Sequence, residues 1–235
     1  MIVKNDINPN DVDLLIFDVD GTLVRFKTLQ KLLKESFIIF DVYEVLDEKG
    51  YLKEYISAVS KALNSNENDF SFDKLAKSFE KNFIVCRDYK IPAKDYLRVL
   101  LDLEKKYAKI IKGVKETLPY LYDNYEQVIS TNWFKDSQVA KLSKYDLCKY
   151  FRKIYSCEGV YPKPNKEHFH IISSECELDP SRCLVIGDSL SDMKSHLYGF
   201  NTLLVDYRNS KQGIYPYSDV VVNDFKDVRK VLTRK

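Results

Sequence analysis

The pattern of apolar and polar positions changes twice along the chain. An apolar run between residues 13 and 20, rich in Leu, Ile and Val, predicts a buried strand. From about Thr28 the apolar residues recur at helical spacing and predict four amphipathic helices. The four apolar stripes run over residues 29–40, 52–63, 72–83 and 96–110. We expect their many aromatic side chains to form the core of a helical bundle.

Local signals mark the ends of two of these helices. Ser71 directly precedes the third stripe and is predicted to cap it, because a serine side chain accepts hydrogen bonds from the first turn of a helix. Pro92 lies near the start of the fourth stripe. Gly113 lies just past the predicted end of that stripe at Ile110 and is typical of a helix end.

After Gly113 the pattern becomes strand-like again. Short apolar segments alternate with helical or mixed segments, and they cover residues 127–131, 153–157, 183–188, 202–206 and 219–222. This alternation predicts an α/β fold in which a parallel sheet is covered by helices on both faces. We expect residues 1–24 and 112–235 to form this α/β core. Residues 25–111 are then a helical domain inserted after the first strand.

Composition and charge exclude some classes of protein. With 45% hydrophobic and 31% charged residues, the chain of 235 residues is typical of a globular protein. A formal net charge of +2 gives no electrostatic reason to expect nucleic acid or an anionic membrane as a partner. The five cysteines are scattered and suggest reduced thiols. The N-terminus lacks the apolar run of a signal peptide, so we expect a cytoplasmic protein.

Polar side chains follow the ends of three predicted strands. They are Asp18 and Asp20, then Ser130, Thr131 and Asn132, and finally Asp188 with Asp192 four residues further on. Ligands of open α/β sheets bind beyond the carboxyl ends of the strands, so we expect these side chains to meet at one edge. Lys163 precedes a proline, which predicts an extended segment just ahead of a helix that starts near Asn165.

Such a group of side chains indicates a particular chemistry. Two carboxylates buried side by side are costly without a cation or a proton. Four carboxylates with only Lys163 beside them indicate a hard cation, and the oxygen ligands favour Mg²⁺. The hydroxyl of Thr131 and the ammonium of Lys163 suit the oxygens of a phosphoryl group. Together these features suggest phosphoryl transfer onto a carboxylate.

Four short motifs occur in the order that one known family shows. The segments "DVDGT", "STN", "KP" and "GDSLSD" resemble the four motifs of the haloacid dehalogenase superfamily. The helical block resembles the cap that this superfamily inserts between its first and second motifs. The resemblance covers essentially the whole chain and implies a Rossmann-like parallel sheet with an inserted α-helical cap domain.

The resemblance also implies a role for each matching residue. Asp18 is the expected nucleophile, which forms an aspartyl phosphate, and Asp20 is the expected general acid and then base. Thr131 and Lys163 are expected to bind the phosphoryl oxygens, with Ser130 as the alternative to Thr131. The expected ligands of Mg²⁺ are Asp18, the backbone carbonyl of Asp20, Asp188 and Asp192. Of these, Asp192 is expected to support either the metal or Lys163.

The two carboxylates of the first motif are expected to differ in protonation. Mg²⁺ and Lys163 should keep Asp18 ionised, while the neighbouring negative charge and partial burial favour a proton on Asp20. The helix histidines, among them His168 and His170, have no partner at ligand spacing, so we expect them to be structural. Asp206, at the end of a later strand, is interpreted as an ordinary strand-end residue.

The expected function is that of a Mg²⁺-dependent phosphatase acting on a small phosphorylated metabolite. A sugar phosphomutase of the same superfamily and a non-catalytic module that binds phosphate or metal are the alternatives. A dehalogenase is disfavoured, because the acid at Asp20 and the metal carboxylates are features that dehalogenases lack. Phosphonate hydrolysis is disfavoured because that subgroup has an alanine where Asp20 stands. We expect no nucleic-acid or membrane partner, and the sequence leaves the oligomeric state open.

Overall fold

The strands of the chain form one large sheet and one small ribbon. The structure is a computed structural model that describes residues 2–3, 5–26, 29–42, 48–64, 70–158 and 160–233. Thr28, from which the helical spacing is predicted, lies outside the described residues. The strands are β1 (Ile2–Val3), β2 (Leu14–Phe17), β3 (Val24–Arg25), β4 (Lys109–Ile110), β5 (Glu126–Thr131), β6 (Ile154–Ser156), β7 (Cys183–Gly187), β8 (Asn201–Val205) and β9 (Val220–Val222).

The helices fall into a group before residue 108 and a group after it. They are α1 (Leu29–Ile39), α2 (Glu48–Leu63), α3 (Phe72–Asn82), α4 (Ile84–Arg87), α5 (Ala93–Tyr107), α6 (Val114–Tyr122), α7 (Lys135–Ser143), α8 (Lys166–Glu175), α9 (Leu190–Met193) and α10 (Lys226–Val231). Single 3-10 turns lie at Pro9–Asp11, Cys148–Tyr150, Pro180–Arg182, Lys194–Tyr198 and Gln212–Tyr217. Among the described helices, none is long and apolar enough to cross a membrane.

The large sheet has the strand order β1-β9-β8-β7-β2-β5-β6. Its strands pair in parallel, except for the antiparallel edge strand β1. Central strand β2 is buried on both faces: Leu15 and Phe17 pack with α6 and α10, whereas Leu14 and Ile16 pack with α8. This double burial explains its uninterrupted apolar sequence and confirms the predicted α/β fold with a parallel sheet.

Helices α1–α5, which we call the cap helices, pack around a hydrophobic cluster of their own. Its core is aromatic: Phe37 meets Tyr51 edge to face at 4.9 Å between ring centroids, and Phe83 lies 5.3 Å from Tyr96. Ser71 caps α3 as predicted, because its hydroxyl accepts a hydrogen bond from the Lys74 amide at 3.3 Å. The cap helices thus form the predicted bundle. Domain boundaries near residues 25 and 111 stay a prediction.

Helix α5, which corresponds to the fourth predicted helix, is shorter than its apolar stripe predicts. It ends at Tyr107, and Ile110 lies instead in β4, where it pairs with Val24 of β3. The two segments that connect the cap helices to the sheet therefore hydrogen-bond to each other, which satisfies backbone groups that a longer helix would have engaged. Gly113 has φ +89° and stands at the start of α6, so its prediction as the end of the preceding helix was wrong.

Candidate active site

Three neighbouring strands bring the predicted residues to one edge of the sheet. In the parallel register, Phe17 of β2 lies opposite Ile129 of β5 and Ile186 of β7. The residues that follow these positions therefore emerge side by side at the carboxyl ends. The backbone amide of Asp18 donates to the Ile186 carbonyl at 2.9 Å, which continues the pairing up to the first carboxylate.

Three of the predicted carboxylates converge. Asp18, Asp188 and Asp192 each offer an oxygen, and these oxygens lie within 4.8 Å of one another. A set of hard oxygen donors at this separation fits a divalent cation such as Mg²⁺. The side chain of Asp20 is not part of this cluster. Its predicted metal contact is through the backbone carbonyl and stays a prediction.

Two glycines make room for these carboxylates. A Cβ on Gly21, whose φ is +97°, would stand 2.4 Å from an oxygen of Asp188. A Cβ on Gly187 would stand 2.5 Å from the side chain of Asp192. No side chain fits at such distances, so both positions need glycine. The glycines of the first and fourth motifs thus allow the carboxylates to approach the backbone closely.

Lys163 is the cation inside this cluster. Its ammonium donates to Asp18 at 2.9 Å, to Asp192 at 2.5 Å and to the backbone carbonyl of Ser130 at 2.9 Å, and its side chain is only 2% exposed. Burial tends to lower the pKa of Lys163, but the charges of Asp18 and Asp192 raise it above its usual value. Three acceptors for three N–H bonds hold the ammonium in one orientation.

Asn132 fixes the segment that carries Lys163. Its side-chain amide donates to the Lys163 carbonyl at 2.8 Å and accepts from the Lys163 backbone amide at 2.7 Å. The helix that follows is α8, which begins next to Asn165 as predicted, and the Asn165 side chain caps it by accepting from the Glu167 amide at 2.9 Å. The second motif therefore positions the third through two hydrogen bonds between the Asn132 side chain and the Lys163 backbone.

The two carboxylates nearest the sheet centre are destabilised in their charged form. Burial raises the pKa of Asp18; Lys163 opposes this shift, whereas Asp192 and Asp188 add to it. Burial likewise raises the pKa of Asp188, against the opposing effect of Lys211. The ammonium groups of Lys163 and Lys211 together do not offset burial and the repulsion among the three carboxylates, so the cluster favours an added cation.

The structure separates the two candidate hydroxyls of the second motif. Ser130 is hydrogen-bonded to His168 at 2.8 Å, away from the carboxylates. The Thr131 hydroxyl accepts from the Trp133 amide at 3.2 Å and from the Gln138 side chain at 3.0 Å. Among the described residues nothing accepts the proton of Thr131. The Thr131 hydroxyl is therefore still able to donate a hydrogen bond, whereas the Ser130 hydroxyl is already hydrogen-bonded to His168.

His168 is structural, as expected, and it makes stability depend on pH. Burial lowers its pKa to about 4, below the usual value of about 6.5. Between these values the unfolded chain binds a proton that the folded chain does not, so the free energy of unfolding falls as pH falls from about 6.5 to 4, by roughly 3 kcal/mol for this group.

Urea unfolding at pH 7 and pH 4.5 tests this pH dependence. The loss of unfolding free energy between the two pH values should be smaller in His168→Gln than in the wild type. Equal losses in the wild type and in His168→Gln would contradict this assignment. The control is His196→Gln, at a half-exposed histidine beside Asp219.

Asp20 contacts residues that the sequence did not single out. Lys141, on α7, donates to both carboxylate oxygens at 3.1 Å, and Gln138 donates to one of them at 2.7 Å. The Lys141 ammonium also lies 3.0 Å from Glu104 on α5. The prediction that Lys163 is the single cation near the carboxylates was therefore wrong. The predicted proton on Asp20 stays a prediction.

A second unanticipated cation is Lys211, which contacts Asp188 at 2.5 Å. The loop that carries it is held by Asp206, whose carboxylate accepts from the backbone amides of Ser210 and Lys211 at 3.1 and 2.9 Å and from the Tyr215 hydroxyl at 3.0 Å. Burial tends to raise the pKa of Asp206, but these hydrogen bonds lower it. Asp206 is thus the anchor of a loop at the site, not only the end of a strand.

Comparisons with solved structures support the fold. The HAD-hydrolase YfnB of Bacillus subtilis, solved with bound magnesium, superposes with a TM-score of 0.77 at 17% identity, over 94% of this chain and 98% of that one. A HAD phosphatase of Thermococcus onnurineus gives 0.66 at 18% identity, over 95% and 99%. A 2-haloacid dehalogenase of Pseudomonas syringae pv. Tomato gives 0.65 at 17% identity, over 95% and 99%. These similarities show a shared fold.

The sequence comparison identifies the family. No curated protein matches the chain significantly. The sequence model of the haloacid dehalogenase-like hydrolases, in contrast, matches residues 15–203. This match contains all four motifs and most of the chain. The protein therefore belongs to the family of haloacid dehalogenase-like hydrolases.

Proposed function

We propose that the protein is a Mg²⁺-dependent phosphatase that hydrolyses a small phosphorylated metabolite through an aspartyl phosphate on Asp18. The observation that carries the proposal is the cluster of Asp18, Asp188 and Asp192, in which Asp18 and Asp192 contact the buried ammonium of Lys163. In support of the proposal, the carboxylate proposed as nucleophile lies next to oxygen donors that suit a hard cation and next to a fixed positive charge that suits phosphoryl oxygens.

The first half of the reaction forms the phosphoenzyme. A carboxylate oxygen of Asp18 attacks phosphorus, the bond from phosphorus to the ester oxygen breaks, and Asp20 gives a proton to the departing alcohol. Lys163 and the free hydroxyl proton of Thr131 hold the phosphoryl oxygens. Mg²⁺, held by Asp18, Asp188, Asp192 and the carbonyl of Asp20, would neutralise charge on the phosphoryl group when bound.

The second half restores the enzyme. Water attacks phosphorus, Asp20 takes a proton from that water, and the bond between phosphorus and Asp18 breaks to release inorganic phosphate. The same carboxyl group thus donates a proton in one half and accepts one in the other. Cap helices beside such a site limit the size of the substrate and exclude bulk water, which is why we propose a small metabolite and not a phosphoprotein.

The solved structures that share this fold include dehalogenases as well as phosphatases, so the choice between the two reactions depends on the residues of the site. Two acidic residues of the fourth motif, Asp188 and Asp192, stand against the nucleophile in the structure. A dehalogenase has no use for a cluster of carboxylates that attracts a divalent cation. The phosphatase is therefore the better supported reaction. A phosphomutase would use the same residues, and a binding module would bind the cation without turnover.

Metal removal tests the proposal. We expect hydrolysis of 4-nitrophenyl phosphate in Mg²⁺, and EDTA should lower the rate at least about a hundredfold, since the charge of the cation contributes several kcal/mol to the transition state. Added Mg²⁺ should restore the rate. Phosphorus NMR with a hexose phosphate separates the alternatives: a mutase isomerises the sugar phosphate without releasing phosphate. Binding of Mg²⁺ without any turnover would instead support a binding module.

A further inference from the structure

Lys141 is a buried amine on α7 with an unusual set of partners. Its side chain is 1% exposed. Its ammonium contacts both oxygens of Asp20 at 3.1 Å and one oxygen of Glu104 at 3.0 Å, and it lies 4.9 Å from the ring centroid of Phe26. A buried lysine needs such charge partners, but these two come from distant parts of the chain. One belongs to the first motif and the other to a cap helix.

We propose that Lys141 is a positioning residue that orients the carboxyl group of Asp20, and that Glu104 makes this orientation depend on how the cap helices sit against the sheet. The inference rests on the proposed phosphatase function, in which Asp20 transfers protons. Asp20 follows a strand end and is one-third exposed, so without partners its side chain would sample several rotamers. Lys141 and Gln138 together hold both of its oxygens.

Gln138 extends this arrangement to the phosphoryl-binding hydroxyl. Its side-chain nitrogen donates to Asp20 at 2.7 Å and to Thr131 at 3.0 Å, so one amide group bridges the acid and the hydroxyl of the second motif. Gln138 and Lys141 lie three residues apart on α7 and therefore share a helix face. A single face of α7 thus fixes Asp20 relative to Thr131.

Glu104 connects the same face to the cap helices. It is buried on α5, and its carboxylate accepts from the indole nitrogen of Trp133 at 2.9 Å and from the Ser137 hydroxyl at 3.3 Å, besides its contact with Lys141. Trp133 itself packs against the hydrophobic cluster of the cap helices. Any shift of α5 away from α7 removes one of the two charges that hold the Lys141 ammonium. The orientation of Asp20 is thereby coupled to the cap helices.

Loss of a merely structural ion pair and loss of a positioning residue have different effects on the two steps of the reaction. With 4-nitrophenyl phosphate the leaving nitrophenolate needs no proton, so Asp18 forms its bond to phosphorus without help from Asp20. The following hydrolysis does need Asp20, which takes the proton of the attacking water. Misplacing Asp20 therefore slows the second step selectively and makes the phosphoenzyme accumulate. A merely structural defect slows both steps together.

The experiment measures the burst of nitrophenolate and the acid-trapped phosphoenzyme. Lys141→Met should lower steady-state turnover at least about tenfold, a fraction of the effect typical of general acid–base catalysis. Its burst should exceed that of the wild type and approach one equivalent per enzyme. Glu104→Gln, which keeps an acceptor for Trp133, should change both quantities in the same direction but less. Glu104→Gln also serves if Lys141→Met fails to fold.

Lys144, which directly follows α7, offers a matched control. Its ammonium links the end of α7 to the end of α5, by donating to the carbonyls of Lys106 at 2.8 Å and Ala108 at 3.0 Å. Lys144→Met should leave the burst at the wild-type level. If Lys141→Met turns over more slowly but its burst is no larger than that of the wild type, the inference is wrong and the proposed function is unaffected. A wild type that forms neither phosphate nor phosphoenzyme would overturn the proposed function, and the inference with it.

Discussion

Replacing Asp18 by asparagine is expected to lower turnover of 4-nitrophenyl phosphate at least about a thousandfold, because loss of a covalent nucleophile has effects of this size or larger. The amide of asparagine is nearly the same size but does not form a bond to phosphorus that water can later break. The backbone amide of Asp18 donates to the Ile186 carbonyl, and the Asp18 carboxylate accepts from Lys163. Phosphate release in Mg²⁺ measures the loss, and no phosphoenzyme should be trapped.

The same substitution should leave the fold intact. It removes one of three carboxylates that repel one another, while Lys163 keeps Asp192 as its partner. We therefore expect the melting temperature without Mg²⁺ to be no lower than that of the wild type. Asp13→Asn is a matched control, because Asp13 precedes the same strand at its opposite end. Substantial turnover by Asp18→Asn would rule out the aspartyl phosphate.

The parallel sheet and the acidic site were predictable because local sequence encodes them. A strand that is buried on both faces must be apolar throughout, and the carboxyl ends of parallel strands lie at one edge of the sheet. The proximity of Asp18 and Asp188 can therefore be predicted without knowing the structure of the loops between them. The cap at Ser71 and the helix start near Asn165 were predictable for the same reason: each depends on a few neighbouring residues.

The contacts that surround the site were not predictable in this way. Lys141 and Asp20 are 121 positions apart, and Lys211 is 23 positions from Asp188. On the helix, Lys141 has the same appearance as any lysine on a solvated face; only the packing of α5 over α7 buries it. The wrong prediction of a helix end at Ile110 has a similar origin. Its partner strand β3 is adjacent in space but precedes all of the cap helices in the sequence. Tertiary pairing overrides local periodicity in both cases.

Lys163→Met is expected to affect stability as strongly as activity. The substitution leaves Asp18 and Asp192 close together and buried with no ammonium between them. Breaking a buried ion pair by removing one partner typically costs about 3–5 kcal/mol. The free energy of unfolding, measured with urea in EDTA, should therefore fall by about this amount. Turnover should fall at least about a hundredfold, because the phosphoryl oxygens lose a preorganised positive charge.

Mg²⁺ should reverse part of the stability loss and little of the activity loss. A cation that binds the folded carboxylates but not the unfolded chain stabilises the fold in proportion to its affinity, and it supplies the charge that Asp18 and Asp192 then lack. It does not replace the ammonium that Lys163 directs at the substrate. Lys166→Met, at an exposed position three residues further on, should change neither quantity. If Lys163→Met unfolds in urea as the wild type does in EDTA, the ammonium is not what holds these carboxylates together, and its place among the phosphoryl ligands loses its structural basis.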